Sequence, residues 1–383
     1  MTTSSAAAAS SKPPRPRSPH FPPHNAPRVW LLVHGTSPIN IALARKVIEY
    51  GDYVVAGVLP VEYERDEERM SEFKEFLEEA KRTERWRERL RVVGLDARVM
   101  GQCQAAVAEA VEAFGRIDVL LGSTSEAVVG TIEELAQSAR TQAVARDQFE
   151  INFFANVNII KAVLPSMREK KNGHIIMLTA ITSHLGTPGL GLYCSSQWAI
   201  EGYCDSIAYE IAPFNIKVTI VQPNFEITVL TNRITSVPPM PEYSPDVNPA
   251  PLSRELLSGI LDRLEGSKGA VATPTEDSTA MADDAPSPAS TVHNPTLGDQ
   301  LSTENVTSLY PPLVPSFKDP LIAETVHALT AIGGHDNPPA RHIVGLEGVM
   351  AVKEKLKTVS EELEDFIEVS NAVDITKDEE TLG

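Results

Sequence analysis

The sequence predicts an α/β protein built on a doubly wound parallel sheet with helices on both faces. Three observations lead there: short continuous apolar runs of the kind a strand buried on both faces requires, helically spaced stretches between them, and cap and stop residues at the joins.

The first run, Val29-Trp30-Leu31-Leu32-Val33, reads as a central strand. Thr36, Ser37 and Pro38 follow as helix-start chemistry, an oxygen-bearing cap and then proline at the first helical position, before amphipathic spacing from Ile41 to Tyr50. Gly51-Asp52 ends that helix and Tyr53 to Val58 makes the next strand. Glu62 to Arg89 is a charged helical stretch with a sparse apolar stripe of Phe73, Phe76, Leu77 and Trp86, read as a solvated surface helix. Strand Leu90 to Leu95, helix Gln102 to Phe114 and strand Ile117 to Leu121 repeat the alternation. A long helical region from Arg146 to Glu169 leads to strand His174 to Thr179, helix Tyr193 to Ala212 and strand Lys217 to Val221, and right-handed crossovers wind these into one sheet. Beyond Pro223 the chain is loop-like and proline-rich, with a helix near Ser253 to Leu264. Regular structure resumes at Asp319 with a helix, a short strand at His342 to Val344 and a charged helix from Val349 to Glu368.

Residues 1–27, rich in Ser, Ala and Pro, carry Lys12, Arg15 and Arg17 without an acid. The prolines spoil an amphipathic targeting helix, so a disordered tail is expected. The expected organisation is one domain: 28–266, a disordered insertion rich in Ser, Thr, Pro, Ala and Asp at 267–315, and 316–383 completing the fold and ending in the charged helix.

With 383 residues, 42% of them hydrophobic, the chain suffices for one sizeable core. A formal charge of -18 argues against the concentrated basic surface that nucleic-acid binding needs. Cys103, Cys194 and Cys204 have no metal-ligand spacing and no paired secreted framework, which points to a reducing compartment and, by default, the cytoplasm. No apolar run approaches the roughly 20 residues of a membrane span.

Several motifs, in order, carry a family resemblance: Gly115-Arg116-Ile117-Asp118-Val119-Leu120, Phe149-Glu150-Ile151-Asn152, Ala162-Val163-Leu164-Pro165, Gly173-His174-Ile175-Ile176 and Pro188-Gly189-Leu190-Gly191-Leu192-Tyr193. From Arg28 to about Leu264 and again from Asp319 to Ile375 the chain resembles the single-domain short-chain dehydrogenase/reductase family. That resemblance implies a Rossmann-like fold, NAD or NADP as cofactor, a small carbonyl or alcohol substrate, and a homo-oligomer. It also implies a catalytic Asn, Ser, Tyr and Lys. Asn152 and Tyr193 match, whereas Ala180 stands at the serine position and Gln197 at the lysine position. Thr182 shares the parity of Ala180, and Thr179 turns to the opposite face.

The family's first βα turn reads here His34-Gly35-Thr36-Ser37-Pro38-Ile39-Asn40-Ile41, keeping the first glycine and placing the branched Ile39 and Ile41 where the others stand, so that crowding of a pyrophosphate is expected. Asp96 matches the adenine-side Asp or, read alone, caps the following turn. The resemblance makes Gly35, Asp96, Gln197 and Thr228 the cofactor contacts. Gly122-Ser123-Thr124-Ser125 replaces the family's Asn-Asn-Ala-Gly. No acid or arginine closes the second strand to select NAD over NADP. Two functions remain open: carbonyl reduction with Tyr193 as proton donor and Asn152 as organiser, or a non-catalytic relative whose cleft serves binding, regulation or scaffolding.

Overall fold

A computed structural model of the chain describes residues 26–65, 67–124, 126–224, 234–244, 246–250, 252, 255–256, 315–367 and 369. The expected tail and insertion, nearly all of the helix expected at 253–264, and Thr228 lie outside the described residues. The strands β1 (Val29–Leu32), β2 (Tyr53–Val58), β3 (Leu90–Gly94), β4 (Val119–Ser123), β6 (Gly173–Leu178), β7 (Ile216–Gln222) and β9 (Arg341–Ile343) form one seven-stranded sheet in the order β3-β2-β1-β4-β6-β7-β9. Every pairing in it is parallel, so the apolar runs are covered on both sides.

Alternate residues of each strand feed two cores. Trp30 and Leu32 point toward α1 (Pro38–Tyr50), α3 (Glu67–Arg82) and α10 (Pro315–Ile332), while Val29, Leu31 and Val33 join the cluster of α5 (Met100–Phe114), α8 (Ala155–Lys170) and α9 (Gly191–Ile211). The charged stretch after β2 is three helices, α2 (Pro60–Arg65), α3 and α4 (Glu84–Arg87), rather than one solvated helix. Met70, Phe73 and Phe76 are wholly buried in the first core, with Leu77 and Trp86 packed against it. The apolar residues are few but large and share one face, which suffices to dock the helix.

The long helix expected at 146–169 begins earlier, as α7 (Ala139–Phe149), and passes through a π-helical turn at Glu150–Phe154 into α8. A second, two-stranded parallel sheet pairs β5 (Ala127–Val129) with β8 (Ile234–Ser236), where loop was expected. Helix α6 (Ile132–Ala136) follows β5 behind a Thr131–Glu134 capping box. Among the described residues no helix is long and apolar enough to cross a membrane.

The C-terminal part returns to the sheet through buried polar contacts. Gly333 sits against the Trp30 indole so closely that an added Cβ would lie 1.9 Å from it, and Arg28 Nη1 donates to Gly333 O at 3.1 Å. Asp52, fully buried, accepts from Trp30 Nε1 at 3.1 Å and from the Arg28 N–H at 2.9 Å. The Gly334 N–H donates to His174 Nδ1 at 3.0 Å. Nε2 therefore carries the proton of the neutral ring and donates to Thr219 Oγ1 at 2.9 Å, which in turn donates to Pro339 O at 2.7 Å.

Burial pushes His174 down to about 3, with Lys217 and Arg28 adding to the effect. The unfolded chain takes up a proton near the ordinary value of about 6.5 and the native ring does not. His174 thus contributes stability above pH 6.5 that is lost as pH falls toward 3. Between pH 6.5 and 5, above most carboxylate titrations, denaturation midpoints should fall with acid. His174→Gln should be less stable at pH 7 and show a flatter slope over that interval. An unchanged slope in urea titrations of the variant would reject the assignment.

Candidate active site

The turns after β1, β4 and β6 and the first half of α9 converge at the C-terminal edge of the sheet, where parallel α/β folds place ligands. At the first turn, the Gly35 N–H donates to Gly57 O at 2.7 Å, and a Cβ at Gly35 would lie 2.8 Å from Ala56 Cβ. Gly35 therefore meets a packing demand between β1 and β2 whatever binds above it. Ser37 caps α1 by accepting from the Asn40 N–H at 3.3 Å, and Asn40 Nδ2 donates to His34 O at 2.8 Å. Ile39 and Ile41, expected to crowd a pyrophosphate, are buried in the α1–α3–α10 core. Their side chains fill space between helix and sheet instead of overhanging the turn.

The same turn gains a group absent from the sequence reading. Thr36 Oγ1 donates to Glu62 Oε2 at 3.1 Å, bringing a carboxylate from α2 beside the first βα turn. Asp96 is committed elsewhere, since its carboxylate receives the Arg98 N–H at 3.1 Å, Nε at 2.9 Å and Nη2 at 2.7 Å. Burial pushes the Asp96 carboxyl up, and the Arg98 hydrogen bonds and charge more than offset this, leaving it below its ordinary value. Of its two expected roles, the geometry displays the turn cap.

Asn152 lies in the π-helical turn and clamps the backbone of Glu126 from both sides, donating Nδ2 to Glu126 O at 2.8 Å and accepting from the Glu126 N–H at 3.1 Å. Its Nδ2 also lies 3.2 Å from Ser196 Oγ on α9. Its main-chain oxygen accepts from Asn156 Nδ2 at 2.9 Å, and that amide also donates to Ser123 O at 3.0 Å. Gly122 leaves the room for this, because a Cβ there would fall 2.6 Å from Asn156 Oδ1. Asn156 thus steadies the end of β4, where the Asn-Asn-Ala-Gly motif is missing.

Tyr193, 1% exposed, packs with Leu190, Cys194, Ala127, Val129 and Ile234 beneath the β5–β8 pair. Burial pushes its phenol well above the ordinary value, Cys194 adds to the rise, and the nearby Thr124 hydroxyl offsets part of it. One turn on, Gln197 is fully buried, and its Oε1 accepts from Thr124 Oγ1 at 3.0 Å. Three buried polar atoms here have no hydrogen bond of standard geometry: Tyr193 Oη, Gln197 Nε2 and Thr182 Oγ1 on the 3-10 turn Ile181–Ser183. Ala180 is buried just before that turn, and Thr179 turns away, donating to Glu201 Oε1 at 2.6 Å.

Against a nicotinamide dinucleotide these residues fit at two points. Gln197 Nε2 is a buried donor facing the corner without a partner, and Glu62 places an acceptor by the first turn, as a ribose diol needs. Arg98 already takes three of the roughly four acceptor positions of the Asp96 carboxylate. Among the described residues no group of His, Cys, Asp and Glu is arranged to hold a metal.

The family model described as short chain dehydrogenase matches residues 29–237. An oxidoreductase, BOA17, of Botryotinia fuckeliana is 29% identical over 196 residues, covering 51% of this chain and 65% of that protein. A 3-ketodihydrosphingosine reductase of Bacteroides thetaiotaomicron is 36% identical over 146 residues, covering 38% of this chain and 52% of its own length. The chain thus spans between about half and just under two thirds of these relatives. A solved short-chain dehydrogenase from Streptomyces avermitilis superposes with a TM-score of 0.61 at 22% identity, over 91% of this chain and 100% of that one, a likeness of fold.

The Asn152 clamp is measurable apart from any ligand. Asn152→Ala removes the bond accepted from the Glu126 N–H and one of the two donated to its carbonyl, where Gln148 Nε2 remains at 3.2 Å, and should cost about 1–2 kcal/mol. Urea denaturation of both proteins reads this directly, and a loss below about 0.5 kcal/mol would mean that water replaces the amide.

Proposed function

We propose that this chain, which belongs to the short-chain dehydrogenase family, reduces a small carbonyl compound with NADH. The observation that carries the reading is the cluster of unpartnered buried polar atoms, Tyr193 Oη, Gln197 Nε2 and Thr182 Oγ1. Each costs about 1–3 kcal/mol if left unsatisfied, so their persistence at one corner of the sheet favours a ligand that satisfies them.

When bound, the dinucleotide supplies hydride to the carbonyl carbon. Tyr193 would give its phenolic proton to the carbonyl oxygen. Burial holds the phenol protonated at neutral pH, so the proton is there to give, while the same rise makes it a weaker acid than an ordinary tyrosine. Alcohol oxidation needs the phenolate, and neutral Gln197 supplies no charge to stabilise it, so reduction is the favoured direction. Gln197 Nε2 would donate to a ribose hydroxyl. Asn152 holds Glu126 and, through Ser196, the face of α9 that carries Tyr193. The Glu62 carboxylate would accept from a ribose diol and repel a 2′-phosphate, which favours NADH over NADPH.

A second reading is a family member that has given up turnover and keeps the cleft for binding. The occupied carboxylate of Asp96 and the alanine at position 180 favour it.

Thermal denaturation with each dinucleotide separates the two. NADH should raise the midpoint more than NADPH, and Glu62→Gln should narrow the gap. On an aldehyde and ketone panel, Tyr193→Phe should lower kcat by about a hundredfold or more. If neither dinucleotide shifts the midpoint at saturation, the reductase reading is lost and the binding reading stands.

A further inference from the structure

The last described helix, α11 (Leu346–Asp365), carries a pattern that the sheet does not use. Val349, Val352, Leu356, Val359 and Leu363 recur at alternating steps of three and four, the seam of a two-helix coiled coil. Only the start of the seam meets the body of the protein. Val352 is buried, and Gly348 lies against Ile343 and Ile181, whereas Leu356 is 57% and Leu363 68% exposed. From Lys353 onward every residue of the helix except the half-buried Val359 is exposed, so about 20 Å of helix projects with its apolar stripe uncovered by the described residues. A projecting helix of this length draws little stability from propensity alone and needs its apolar face packed.

The charges along the stripe select the occupant. Lys353, Lys355 and Lys357, with Glu354 the single acid among them, lie in the first half of the projecting segment, and Glu361, Glu362, Glu364 and Asp365 in the second. A parallel copy in register would set lysines beside lysines and acids beside acids. An antiparallel copy brings the lysine half of each helix to the acidic half of the other, with Lys355 and Glu362 both flanking the seam. The Lys357–Glu361 pair within one helix, 3.6 Å apart and exposed, is too weak to compete with that arrangement.

We propose that this seam is a self-association surface, where α11 of a second copy of the chain docks antiparallel. The contact is independent of the cleft and holds whether or not the cleft turns over a substrate.

Sedimentation velocity of the full chain over a concentration series tests it. The wild type should move to twice the mass of its dissociated form as concentration rises. Leu356→Glu with Leu363→Glu should stay at the dissociated mass with an unchanged thermal midpoint, since both positions are exposed. Lys355→Glu alone should weaken association roughly tenfold, because the substitution acts at two symmetry-related contacts, and adding Glu362→Lys should restore it. A wild type that never changes mass, or an assembly unaffected by the leucine substitutions, overturns the proposal. A wild type of constant mass whose midpoint drops on the leucine substitutions shows the seam covered by the chain's own residues 257–314, which also overturns it. Failure of the charge swap to restore association rejects the antiparallel arrangement.

Discussion

The parallel pairing of β1 with β4 at the middle of the sheet is the constraint on which the rest depends. From β1 the chain builds outward through β2 to β3, then crosses back to β4 and builds the other way through β6 and β7 to β9. The turns that leave β1 and β4 therefore diverge, and the crevice between them is where the polar groups collect. His34 Nδ1 and Ser123 Oγ bridge it at 3.0 Å, tying together the two turns that open the crevice. Asn156 fixes the β4 side by its bond to Ser123 O, and the β5–β8 pair roofs the tyrosine.

Polar satisfaction is uneven across this crevice. On the side of β2 and β3 the chain answers most of its own groups, Thr36 with Glu62, Asp96 with Arg98, and the Asp96 N–H with Gln102 Oε1 at 2.8 Å, Asn40 Oδ1 at the start of α1 being left open. On the side of α9 it leaves donors and acceptors open. A uniformly closed interior would have apolar residues at such places, because a half-satisfied network is less stable than an apolar one.

The sheet was legible in the sequence because strands buried on both faces are largely apolar, as β1 is throughout, while β3 with Arg91 and β7 with Lys217 and Thr219 were placed by the alternation of strands and helices around them. Strand limits slipped by one or two residues, as for β4, which starts at Val119 and runs to Ser123 rather than over Ile117 to Leu121. The tyrosine helix and Asn152 were readable from motif order. Glu62 was not, since its contact with Thr36 spans 26 residues and depends on how α2 folds back after β2. Arg98 was visible as a neighbour of Asp96, yet nothing in the sequence revealed that it would engage both carboxylate oxygens. The direction of the Ile39 and Ile41 side chains, into the core, was not legible, because spacing in a motif gives a position but not the direction of a side chain. The β5–β8 pair was missed for its brevity: three residues per strand carry too little alternation to stand out from loop. The charged α3 misled for another reason, its three large buried side chains being outnumbered by lysine and glutamate.

The contact of Trp30 with Gly333 has a spectroscopic consequence. An indole wholly enclosed by the sheet, with its N–H on Asp52 and its ring edge closed by a residue some three hundred positions away, emits from a rigid, water-free environment only while the last part of the chain is seated. Trp198, 58% exposed on α9, emits from solvent in either case, and Trp86, half-buried against Phe76, is a second shielded indole that a Trp86→Phe background removes from the signal. The molecule therefore contains its own optical gauge of C-terminal docking, a blue-shifted emission component whose red shift on mild denaturation would tell whether that segment detaches before the sheet itself opens.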